Sequence, residues 1–249
     1  MSGHSKWAGI KHKKGLADAQ KGKIFSKLAK ELTAAARAGG GNPETNAKLR
    51  TFLAKAREAN MPSDNVERAI KRGTGELPGV TYEEMTFEGY GPGGVAIIVE
   101  ALTDNKNRAS AEIRTIFSKK GGSLAGAGSV NWLFHKKGFI VVDKKTVDED
   151  KLMNLVLDAG AEDMAGEADS YEITTSTQDF EKVKQALLEA KVKWISAEVT
   201  LIPSSTVKLM GNDAKQILAL VEELEDHDDV QNVYANFDIP DEIIKEVAS

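Results

Sequence analysis

The segments FIVVD (139–143), DEDKLMNLVLDA (148–159), AEDMAGE (161–167), YEITTS (171–176), QDFEKVKQALLEA (178–190) and WISAEVTLI (194–202) decide the fold. Four are short runs bounded by turn residues and predict strands; two carry apolar residues at helical spacing. Residues 135–202 therefore read β-α-β-β-α-β, the split βαβ or ferredoxin-like order.

On the N-terminal side, Met85–Tyr90 predicts a strand and Gly91-Pro92-Gly93-Gly94 a turn. VAIIVEALT (95–103) predicts a central strand by its β-branched run. Residues 107–120 predict a helix burying Ile113, Ile116 and Phe117, and 129–134 another strand. After Pro203 come a short strand (206–210), a helix (212–225) and a strand (230–237). Each flank alone is half a domain, and together they complete a second β-α-β-β-α-β unit. The economical layout inserts 135–202 into a discontinuous domain of 79–134 and 203–240, since exposed hairpin loops tolerate insertions. The competing layout is two sequential domains with 203–249 as an appendage. It predicts no pairing between the 95–103 strand and the chain after Thr206.

Residues 1–78 predict a basic arm and a helical domain. The first 17 residues hold few large apolar side chains and are expected to be mobile without a partner. Helices follow over 18–37, 44–59 and 64–72, the third capped by Ser63 and closed by Gly73. Ile24, Leu28, Leu32 and Ala35 face inward on the first; Lys23, Lys27, Lys30 and Arg37 fall opposite. The class is α+β with three domains, and 241–249 form a tail with no assigned role.

The net charge of −5 hides two opposite parts. Residues 1–75 hold 16 Lys/Arg against 6 Asp/Glu, a net of +10, and the remainder 17 against 32, a net of −15. Such asymmetry points to an interaction arm with a polyanion partner, most directly nucleic acid. The basic part attracts phosphates and the acidic part repels them. Absence of cysteine excludes disulfides, zinc–thiolate sites and a cysteine nucleophile. At 41% hydrophobic and 29% charged residues the chain has a soluble globular composition. No apolar run approaches a membrane span, and the charged N-terminus lacks the apolar core of a secretory signal. A cytoplasmic location is expected.

The nucleic-acid-binding candidates are Lys6, Trp7, Lys11, His12, Lys13, Lys14, Lys21, Lys23, Lys27 and Lys30. Lysine is a mobile point charge suited to phosphate rather than base readout. Trp7 can stack on an exposed base or fold back onto the helical domain. The face bearing Lys23, Lys27, Lys30 and Arg37 either continues the arm or is an ordinary solvated face. In Asp104-Asn105-Lys106-Asn107-Arg108, Asn107 is read as a helix cap, leaving Asn105, Lys106 and Arg108 as secondary contact candidates. The glycine-rich 89–94 segment precedes a strand, whereas a phosphate cradle follows one, so it reads as a structural turn. The acidic run 222–229 lacks EF-hand spacing and reads as a solvated face or a repulsive surface. Histidines at 4, 12, 135 and 227 have no metal spacing. With no nucleophile–base set and no cofactor motif, no enzyme, metal or cofactor is expected. A hydrolase or nuclease with a site in an interdomain cleft is the alternative from another class.

Several longer motifs together resemble one family: Gly3-His4-Ser5-Lys6-Trp7, Ile10-Lys11-His12-Lys13-Lys14, Gly22-Lys23-Ile24-Phe25, residues 87–94, residues 103–108, Gly121-Gly122-Ser123-Leu124 with Gly128-Ser129-Val130, and residues 228–234. The chain is similar to the YebC/PmpR family through about Pro240. The resemblance implies a helical first domain followed by two α/β domains, and a DNA-binding transcriptional regulator. Mitochondrial relatives imply a different outcome, translational activation on messenger RNA and the ribosome. Ribosomal and transfer RNA are therefore further partner candidates beside DNA, in a ribosome-associated translation factor.

Overall fold

The computed structural model describes residues 18–167, 169–240 and 242–243. In chain order the elements begin with α1 (Asp18–Gly39), α2 (Ala47–Glu58), α3 (Ser63–Thr74), β1 (Glu83–Tyr90), β2 (Ala96–Thr103), α4 (Lys106–Lys119) and β3 (Ser123–Ala125). Then come β4 (Phe134–Asp143), α5 (Glu149–Asp158), β5 (Ala161–Gly166), β6 (Ser170–Thr175), α6 (Phe180–Glu189) and β7 (Trp194–Pro203). The chain finishes with β8 (Val207–Lys208), α7 (Gly211–Asp226), β9 (Val230–Ala235) and β10 (Phe237–Asp238). Trp132–Ser205 is one compact unit, and the described residues on either side of it form the other.

In the discontinuous unit, Leu28, Leu32, Ala35 and Ala36 of α1 are buried against Leu49, Ala56, Met61 and Ala69. Asn46 ties α1 to α2. Its side-chain oxygen accepts from the Leu49 N–H at 3.0 Å, and its amide donates to the Ala35 and Gly40 carbonyls at 2.8 Å each. Two expectations for α3 are corrected. Ser63 is the first helical residue, after Pro62, and does not cap; Gly75, at φ 88°, rather than Gly73, closes the helix. Gly73 instead allows close helix approach. A Cβ there would sit 2.5 Å from the Thr33 carbonyl oxygen and 2.6 Å from Ala36 Cβ. Gly73→Ala gains helix propensity but must push α1 away, so a net loss of about 1–3 kcal/mol is expected. A urea midpoint at or above that of the wild type would show that α1 and α3 separate without cost.

The sheet of this unit is antiparallel with order β3-β1-β2-β9. Ile97 pairs with Ala235 and Val99 with Val233. That pairing excludes the sequential layout, which allows none between these segments. Ile97, Val99 and Ala101 pack under α4 and α7 against Ile113, Phe117, Ile217 and Val221. The α+β class holds, but the chain path does not follow the expected β-α-β-β-α-β. The sheet has the spatial order of a ferredoxin-like unit, with β1 standing where Thr206–Met210 was expected. Among the described residues Val207–Lys208 pairs with Phe237–Asp238 alone, in parallel. β1 and β2 are joined by a short turn and pair from Glu83↔Thr103 to Tyr90↔Ala96, so the hairpin fills the edge of β2 that 206–210 was expected to take. The strand expected at 129–134 is also absent over 129–133; Phe134 instead opens β4.

The unit Trp132–Ser205 has order β5-β6-β4-β7, all antiparallel. With two helices in the order β4-α5-β5-β6-α6-β7 this is the ferredoxin-like arrangement. Ile140, Val142, Leu152, Val156, Ile173, Val183 and Leu187 are its fully covered core. Asp148 caps α5 by accepting from the Lys151 N–H. Among the described residues, no helix is long and apolar enough to cross a membrane.

Candidate functional site

Of the ten arm and helix candidates, Lys6, Trp7, Lys11, His12, Lys13 and Lys14 lie outside the described residues. Lys21 is exposed near the start of α1. Lys23, Lys27 and Lys30 all reach the C-terminal end of α7. A helix end leaves carbonyls without intrahelical donors and carries partial negative charge, so cations gather there. Lys27 Nζ donates to the Glu225 carbonyl at 2.6 Å, Lys23 Nζ to the Asp226 carbonyl at 3.5 Å, and Lys30 Nζ to the Asp228 carbonyl at 3.0 Å. Burial lowers the Lys27 pKa from its ordinary value, against the opposing field of Glu225, Asp226 and Asp228.

Asp229 is the centre of this junction. Its side chain is 3% exposed, and it accepts from Lys30 Nζ at 2.6 Å, Arg108 Nη2 at 2.7 Å and Thr103 Oγ1 at 2.8 Å. Burial raises its pKa, but hydrogen bonds from Lys30, Arg108 and Thr103 outweigh that and lower it from 3.8 to about 2. Its backbone N–H donates to His227 Nδ1 at 3.1 Å, so the neutral ring carries its proton on Nε2 and donates to Glu112 at 2.9 Å. The adjoining cleft, about 880 Å³, is lined by Lys23, Lys30 and Arg108 but also by Asp104, Glu112, Asp226, Asp228 and Asp229. Five carboxylates against three cations do not make a phosphate site.

The secondary candidates also have partners within the chain. Asn105, not Asn107, caps α4 by accepting from the Arg108 N–H at 3.1 Å, which corrects the expected cap. Lys106 pairs with Glu83, and Arg108 bridges Asp104 and Asp229. Asp229 was expected on a solvated or repulsive face and is instead buried. A second buried acid, Glu88, lies in the 87–94 motif but carries no assigned role in the sequence reading. It accepts from the N–H groups of Gly128 and Val130 at 2.7 Å each and Asn131 at 2.9 Å. Burial raises its pKa, but the backbone donors, led by Val130, outweigh that and lower it. The 91–94 segment is a turn between β1 and β2, with Gly93 and Gly94 at φ 70° and 77°. Only glycine takes such angles cheaply.

Residues 5–76 match the TACO1/YebC protein N-terminal domain, and residues 82–237 match the TACO1/YebC second and third domain. The chain belongs to the TACO1/YebC family. A protein of Dictyoglomus turgidum is 59% identical over the whole of both chains and is named a probable transcriptional regulatory protein. One of Natranaerobius thermophilus with the same name is 57% identical, over 98% of this chain and 99% of its own. The crystal structure of a conserved hypothetical protein from Aquifex aeolicus has a TM-score of 0.79 at 46% identity, covering 91% of this chain and 93% of that one. The TACO1/YebC matches leave residues 77–81 between them. There Arg37 of α1 donates to Thr81, so the joint between the family domains is itself pinned to the helical part.

Proposed function

We propose that this TACO1/YebC protein is a non-enzymatic, nucleic-acid-binding regulator of transcription. Its N-terminal arm contacts the phosphate backbone through Lys6, Lys11, Lys13 and Lys14, with His12 beside them and Trp7 available for stacking, and Lys21 continues the basic surface onto α1. The observation that carries this reading is the charge split, +10 over residues 1–75 against −15 over the rest. The shared name of the relatives supports the regulatory role. Lys27 and Lys30 are assigned to the junction with α7 rather than to nucleic acid, because acceptors of the same chain already engage their ammonium groups. Lysine reads phosphate in DNA and RNA alike, so the arm supplies affinity rather than sequence choice.

Deleting residues 1–17 removes four lysines. The slope of log affinity against log salt on duplex DNA is expected to become shallower by about 3–4. Unchanged affinity and slope would overturn the arm as the contact. Crosslinking in cells followed by sequencing identifies the polymer: promoter DNA supports transcriptional regulation, and ribosomal RNA would replace it with a translation factor.

A further inference from the structure

The acidic part of the chain carries a basic recess. At the end of α4, Ser118, Lys119 and Lys120 meet Lys215 and Gln216 of α7 around a space of about 520 Å³. Gly121, at φ 76°, turns the chain at the end of α4, where the Gly122 N–H caps the Phe117 carbonyl at 2.8 Å, so the recess presents the lysine side chains rather than helix carbonyls. Among the described residues no carboxylate lines this recess, in contrast to the larger cleft with its five. Lys119, Lys215 and Gln216 are exposed; Lys120 is half-buried and bridges to Glu223 at 3.0 Å. The surrounding 76–249 segment has a net charge of −15. A local reversal of sign there creates a point where a polyanion can approach an otherwise repelling surface. The Ser118 hydroxyl and the Gln216 amide are neutral donors suited to phosphate oxygens.

We propose that this recess binds a phosphate of the nucleic-acid backbone, as a second contact remote in sequence from the arm. The inference rests on the nucleic-acid reading above. Free phosphate shares the chemistry, so the test separates the two sources. The full chain, its Lys119→Gln/Lys215→Gln variant and its Lys119→Glu/Lys215→Glu variant are titrated with a short duplex DNA and a single-stranded RNA over a range of chloride concentrations. Inorganic phosphate is titrated in parallel at matched ionic strength. The glutamine pair is expected to make the duplex salt slope shallower by about 2, and the glutamate pair to weaken binding further, with unchanged thermal unfolding. Wild-type affinity and slope in both variants overturn the recess while leaving the arm reading intact. Inorganic phosphate binding lost in variants that still hold nucleic acid normally also overturns it, in favour of a small-anion site. Failure of the wild type to bind either polymer sinks the parent reading as well.

Discussion

Asp229→Ala is expected to destabilise the discontinuous unit by about 3 kcal/mol or more, the scale for removing one partner of a buried ion pair. The carboxylate is 3% exposed and holds donors from three places: Lys30 of α1, Thr103 at the end of β2 and Arg108 of α4. Its loss leaves Lys30, whose side chain is only 18% exposed, without its carboxylate. Arg108 is more open to water and reaches Asp104 as well, so its share is smaller. For a chain of this size the loss corresponds to a drop in Tm of roughly 6–12 °C. Asp229→Asn keeps the shape and removes the charge, and a double-mutant cycle with Lys30→Met isolates that pair. A loss below about 1 kcal/mol would show that the junction behaves as an exposed surface pair.

The same residue sets a pH dependence. Its folded pKa, about 2, lies below the ordinary 3.8. The ionised form is therefore favoured in the folded state, and its contribution is fully present above about pH 4. It is lost as pH falls through the folded value. Wild-type Tm is expected to fall between pH 4 and 2, and Asp229→Asn to fall less steeply over that window. Parallel curves for the two proteins would assign the acid limb to other groups.

Legibility in the sequence follows the range of the interactions concerned. The ferredoxin-like unit could be read because its strands and helices are set by local pattern: Ile140 and Val142 alternate along β4, and Leu152 and Val156 lie four apart on α5. Helical spacing also placed Lys23, Lys27 and Lys30 away from Leu28 and Leu32. What meets those lysines is a helix end some 200 residues downstream, and no local period records it. The same limit explains Asp229, an acid in an acidic run that only its distant partners distinguish. The place of β1 was missed because apolar pattern identifies a strand without naming its neighbour. The arm residues carry their signal in charge composition and in their motifs, and the contacts found at Lys27, Lys30 and Arg108 belong to the fold.

Glu88 holds the N–H groups of Gly128, Val130 and Asn131, the last two within the 129–134 run expected as a strand, and this anchor defines the second large expected effect. Glu88→Gln is expected to cost about 2–4 kcal/mol, because hydrogen bonds to a buried charge are among the stronger kind and stranded donors are penalised. Gln keeps the length, but it removes the charge that draws three backbone N–H groups and turns one acceptor into a donor facing them. Val130 is fully buried, so its N–H has little recourse to water. Because the folded Glu88 pKa is lowered from 4.5, its ionised form stabilises the fold fully above that value, and the contribution fades as pH falls below it. Wild-type stability is expected to drop on acidification over this range, and the Gln variant to lack that component. Hydrogen exchange separates this anchor from Asp229. The Gly128, Val130 and Asn131 amides should be protected in the wild type and in Asp229→Asn, and should exchange faster in Glu88→Gln. Equal protection of Val130 and Asn131 in Glu88→Gln would show that the carboxylate does not hold the loop.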